Sequence, residues 1–275
     1  GKCIPKARRG RLTGLASTFS GLATLAVGVF LFGADSDPGV LFYTLLLLAA
    51  GLAWWLAATV FVSVDEFQGE TAGGGHALRE AFYSLGLLVR DAPFRDFVVA
   101  RALLMASALG SPFLVVLAQN QGDGAALLGG FLVAPSLAST VSASVWGYMA
   151  DASSRQVMIR GGALAALVCL GVAAAAIAGP AWGGLAWFYP VAFFVLSIAH
   201  SGVRIGRKTY LVDMAGGTKR TDYTAVSNTV IGVLLLVFGG VSAALSLLGA
   251  QWALLLLGAM GVLGTVWSWR LREVE

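Results

Sequence analysis

The sequence predicts an all-α integral membrane protein with eight transmembrane helices, and three observations carry that prediction. Of 275 residues, 58% are hydrophobic and only 12% charged, with a mean hydropathy of +0.82. Soluble domains run nearer about 45–50% apolar and about 25% charged, so a soluble core of this size has no room for the surplus. That surplus is gathered into eight apolar runs, each near the roughly 20 helical residues that cross a hydrocarbon core. The runs lack the ten-residue alternation of a membrane barrel. Lipid admits only helices or closed barrels as spanning structures, so the runs are helices.

In chain order the runs are Leu12–Phe32, Val40–Val62, Phe97–Leu117, Ala125–Tyr148, Val157–Ala178, Gly184–Ile205, Thr224–Leu248 and Gln251–Trp269. Basic residues mark cytoplasmic loops, and all 18 Lys and Arg fall on one set of alternate connectors, just inside the runs that adjoin them, or at the two ends. Five lie before the first run (Lys2, Lys6, Arg8, Arg9, Arg11). The others cluster after the second, fourth, sixth and eighth runs. The remaining connectors, "GADSDPG", "NQGDG", "GPAWGG" and "LGAQ", contain none. Both termini are therefore expected in the cytoplasm. The net charge of +4 follows this topology rather than a nucleic-acid-binding patch. Cys3 and Cys169, far apart, form neither a disulfide framework nor a metal set.

The longest connector divides two runs from six and sets three regions: residues 1–62, 63–96 and 97–275. It opens with the acidic "DEFQGETAGGG". Beyond it Leu78, Ala81, Phe82, Leu85 and Leu88 recur at helical spacing, which predicts an amphipathic helix along the membrane surface. Pro112 and Pro135 predict kinks within their runs.

A shift of 211 residues aligns "RRGRLTGLASTFSG" with "KRTDYTAVSNTVIG". Arg9 falls on Arg220, Thr13 on Thr224, Thr18 on Thr229, Gly21 on Gly232 and Gly28 on Gly239. Both copies leave a basic connector and enter a run. Six runs separate them, so the repeat is parallel, as in transporters built from two six-helix halves.

With this repeat, the connector "GYMADASSRQ" resembles the cytoplasmic motif of the major facilitator superfamily, Gly-x-x-x-Asp-(Arg/Lys)-x-Gly-(Arg/Lys)-(Arg/Lys). Gly147, Asp151 and Arg155 match; Ala152, Ser154 and Gln156 depart from it. The resemblance covers the whole chain as helices five to twelve, the last six forming one bundle, and implies four further helices upstream. It also implies a secondary transporter of a small solute in the bacterial cytoplasmic membrane, monomeric and without cofactor. The fifth-helix glycine–proline motif of many drug/proton antiporters is incomplete: Gly14, Gly21 and Gly28 are present, but no Pro. In the family the motif Asp meets the helix that opens the opposite half's gate. By pseudo-twofold symmetry Asp151 is expected near Arg9, Gly10 and Arg11, with Arg155 pairing locally or meeting headgroups.

Polar groups inside spans are the candidate site residues. In the sixth run Tyr189, Phe193, Ser197, His200 and Arg204 share one helix face. The resemblance makes this face a cavity wall, with His200 contacting substrate or a coupling proton. The competing reading has His200 bonded within the bundle and Arg204 reaching to the interface. Asn228 either bonds to a neighbouring helix or lines the cavity. Ser136, Thr140 and Ser144, four residues apart, suit close helix packing or cavity lining. No Asp or Glu falls near the middle of a span, so proton coupling would rest on His200 or on upstream helices. A transporter-like receptor, or a non-transporting remnant, stays open. A lipid-modifying enzyme is disfavoured, because Asp151, Asp213 and Asp222 stand singly and the two His lie far apart.

Overall fold

The computed structural model describes residues 6–32, 39–63, 85–119, 124–179, 188–215 and 219–274. Its elements are α1 (Lys6–Phe32), α2 (Gly39–Val62), α3 (Leu87–Arg90), α4 (Ala92–Leu103), α5 (Ala106–Gln119), α6 (Gly124–Ala178), α7 (Phe188–Met214), α8 (Lys219–Ser246) and α9 (Ala250–Ser268). No strand occurs among the described residues. Six segments there are long and apolar enough to cross a membrane: Thr44–Val62, Ala92–Gln119, Val133–Ala178, Phe188–Met214, Lys219–Ser246 and Ala250–Ser268.

The 55 residues of α6 would span about 80 Å if straight, more than twice a hydrocarbon core of about 30 Å. Instead the helix breaks at Ser153, whose φ of −163° and ψ of 104° are extended backbone open to any residue. The chain reverses there. Before the break, Phe131 meets Phe193 edge-on with centroids 4.9 Å apart, and Trp146 Nε1 donates to the Ile198 carbonyl at 3.0 Å. Residues 124–152 thus run parallel to α7. After the break the order inverts, because Met158 packs at Gly206 and Gly161 at Val203 and Ala199. Residues 154–178 are therefore antiparallel to α7 and to the first half of α6.

Around this hairpin and α7 lies the main core, where Leu114, Cys169, Leu196 and Leu254 are buried from four different helices. A second cluster closes the charged end of the bundle. There Phe94 stacks on Tyr223 at 4.3 Å, Phe97 on Tyr210 at 5.3 Å, and Tyr210 Oη donates to the Arg272 carbonyl at 2.9 Å. Asp91 caps α4 by accepting from Phe94 N at 3.1 Å and also accepts from Tyr223 Oη.

Two local expectations change, both in the third run, and one lies mostly outside the described residues. The third run begins at Ala92, not Phe97, because the Asp91 cap starts the helix one turn earlier. It is interrupted at Leu104 and Met105, where bonds such as Ala108 N to the Met105 carbonyl take the tighter three-residue spacing, while Pro112 sits inside α5. The surface helix falls mostly outside the described residues; its end, Leu85 and Leu88, packs on the charged-end cluster.

α1 lies antiparallel to the first half of α6 along a seam of small residues. Gly10 faces Gly147, Gly14 faces Ala143, and Gly21 faces Ser136 and Thr140. A Cβ added at Gly14 would stand 2.5 Å from the Ala143 carbonyl oxygen. Two hydroxyl contacts complete the seam: Thr18 Oγ1 with Ser144 Oγ at 2.8 Å, and Ser139 Oγ donating to the Ser17 carbonyl at 3.2 Å. By contrast α2 makes no substantial contact with another described helix, and Trp54 and Trp55 are exposed.

Candidate functional site

A cavity of about 750 Å³ opens between α1, α5, the first half of α6 and α7. Its position follows from the seam, since small side chains on the facing helices leave space beside their contact. α1 lines it with Ser17, Ser20 and Thr24, α5 with Ser111, and α6 with Ser136 and Ser139. α7 supplies Phe193, Ser197, His200, Ser201, Arg204 and Lys208.

Three of the five cavity candidates therefore reach this space: Phe193, Ser197 and His200. Two do not. Tyr189 is buried in the main core, one turn beyond Phe193 and edge-on to Phe188. Asn228 accepts from Arg101 Nη2 at 2.8 Å, and Ser227 Oγ accepts from Arg101 Nη1, which ties α8 to α4. The bond to a neighbouring helix is the reading that fits Asn228.

His200 combines both of its sequence readings. Its Nδ1 lies 3.1 Å from Ser107 Oγ, and Ser107 Oγ donates to the Leu104 carbonyl at 3.0 Å. With that hydroxyl proton committed, Nδ1 carries the ring proton and Ser107 accepts it. Nε2 is then left as an acceptor. At the irregular turn the Leu104 carbonyl accepts from both Ser107 N, at 3.3 Å, and Ser107 Oγ, which orients the Ser107–His200 pair. Ser197 Oγ donates to the Phe193 carbonyl at 2.8 Å, a bond within its own helix.

Around Gly147, Asp151 and Arg155 the structure places two separate contacts. Asp151 Oδ1 accepts from Gly10 N at 2.7 Å and Oδ2 from Arg11 N at 3.1 Å, with Arg11 Nε 3.3 Å away. The carboxylate is only 6% exposed and meets the first turns of α1, at residues the motif resemblance implies. Gly147 makes this possible, because its bare Cα lets Gly10 approach backbone to backbone. Arg11 also lies over the Tyr148 ring at 4.7 Å. Arg155 pairs neither locally nor outward. Its Nε and Nη2 each lie 2.8 Å from Glu273 Oε1, its Nη1 donates to the Leu271 carbonyl, and Ser153 Oγ donates to the same carboxylate.

Sequence reasoning placed Arg204 on the candidate face, with a competing reading that took it to the interface, and did not single out Lys208; both line the cavity. It also missed the α1 hydroxyls, whose signal was the serine and threonine content of "LTGLASTFSGLAT". Among the described residues no group of His, Cys, Asp and Glu is placed to hold a metal ion. Comparison of the chain with protein-family models, curated proteins and solved structures gives no match.

Proposed function

We propose that this chain is a secondary transporter of the major facilitator type, moving a small solute by alternating access across a cytoplasmic membrane. α6, folded back at Ser153, supplies two crossings, and α1 adds another to the six apolar segments, which makes eight with both termini in the cytoplasm. The last six form one bundle, and α1 and α2 end the other. The carrying observation is the pairing of a hydroxyl-lined cavity with a carboxylate contact across the α1–α6 seam, the boundary between the two halves. In this reading Phe193, Ser197 and His200 contact the solute. Asp151 holds the cytoplasmic side closed against α1 and releases it when α1 moves away.

Solute counterflow tests this. Liposomes containing the full chain and preloaded with an unlabelled sugar, amino acid or organic acid should take up the labelled form of at least one. Saturable binding without counterflow for any of them would assign a receptor-like, non-transporting role instead.

A further inference from the structure

We infer that the cavity takes an anionic solute, bound at its carboxylate or phosphate group by Arg204 and Lys208. This rests on the transport reading above and specifies its substrate class. Two observations carry it. Among the described residues no Asp or Glu lines the cavity, while Arg204 and Lys208 both do. They sit one turn apart on α7, about 6 Å along the axis, so a single anionic group can be reached by both. Neither forms an ion pair with a described residue. Behind them Arg207 and Arg101 are close enough to each other to interact electrostatically, so the positive field extends beyond the lining.

The second observation is Ser201. It is 3% exposed, its Oγ has no hydrogen-bond partner among the described residues, and it belongs to the cavity wall between His200 and Arg204. A buried hydroxyl without a partner costs roughly 1–3 kcal/mol. An anionic oxygen seated against Arg204 would accept that proton once the Ser201 hydroxyl turns towards the cavity. Charges of one sign lining a cleft focus the field and raise the local concentration of counter-ions. A lipid headgroup has the same anionic chemistry, but the lining hydroxyls of α1, α5 and α6 make a polar chamber suited to a solute rather than to acyl chains.

The test uses a thiol on the cavity wall. Ser197→Cys is made in the full chain with Cys3→Ser and Cys169→Ala, and the protein is held in zwitterionic nanodiscs. It is labelled with anionic sulfonatoethyl or cationic trimethylammonioethyl methanethiosulfonate, each rate divided by that on a free thiol. The anionic reagent should be favoured by about tenfold or more, and Arg204→Gln with Lys208→Gln should remove the preference. Citrate or inorganic phosphate should slow labelling at constant ionic strength, and glucose should not. Which of the two protects identifies a carboxylate or a phosphate ligand. Equal normalised rates, or a preference that survives the double substitution, would overturn the inference. So would protection by phosphatidylglycerol nanodiscs with none by citrate or phosphate, which would mark a headgroup site. Labelling by both reagents without charge preference sinks only the substrate class. Labelling by neither reagent removes the water-filled cavity, and the transport reading with it.

Discussion

The Asp151 side chain is almost buried and bonds to another helix's backbone. A charge interaction near a helix N-terminus is worth about 0.3–2 kcal/mol, and about 1.4 kcal/mol is tenfold in an equilibrium. That magnitude biases two conformations without locking either. Asp151→Asn keeps the shape but loses the charge, and turns an amide N–H₂ towards one of two backbone donors. It should raise the cytoplasm-open population by roughly tenfold and slow counterflow, while leaving the Kd of the solute nearly unchanged; a matched loss of binding and counterflow would place Asp151 in the solute site. The Arg155–Glu273 pair is more exposed, and Glu273→Gln should cost under about 1 kcal/mol in thermal unfolding. The two contacts were unequally legible in the sequence. Asp151 could be placed because the motif its connector resembles, with the pseudo-twofold relation, implies a contact at the start of α1. Glu273 could not, since a partner 118 residues away is chosen by packing and no local pattern records it.

At the scale of elements, the seam between α1 and α6 carries the account. Its glycines and hydroxyls were visible as a spacing, but spacing alone did not say whether Ser136, Thr140 and Ser144 served packing or the cavity. The structure divides them: Ser136 lines the cavity, Thr140 meets Gly21, and Ser144 bonds to Thr18. Gly14→Val should lower the melting temperature, because its Cβ would press on the Ala143 backbone and force the helices apart, at a cost of about 1–3 kcal/mol. Gly51→Ala in α2 is the internal control, with nothing within 4 Å of the added carbon and no expected loss. Equal effects at the two positions would mean the seam is not formed. The break at Ser153 was legible as a polar connector between two apolar runs. The turn at Leu104 was not, because that stretch is as apolar as the helices on either side.

At the scale of the whole molecule, hydropathy and charge were the most readable features, since bilayer thickness and loop charge act on composition rather than on particular contacts. Single cysteines at Asp37, Asp123 and Trp182, in a background without Cys3 and Cys169, should react with an impermeant thiol reagent in intact cells. Those at Gly74 and Gly217 should not, and the reverse pattern would invert the topology. The exposed faces of α2 and α8 suit contact with lipid or with further helices in the same way. The central claim is that one cavity is reached alternately from the two sides and that Asp151 governs the choice. Its most direct measurement is the reactivity of Ser197→Cys towards an impermeant reagent in right-side-out and inside-out vesicles. The account predicts labelling from both sides, with Asp151→Asn shifting the ratio towards the cytoplasmic side by about tenfold. Labelling from one side only, or a ratio unmoved by Asp151→Asn, would contradict it.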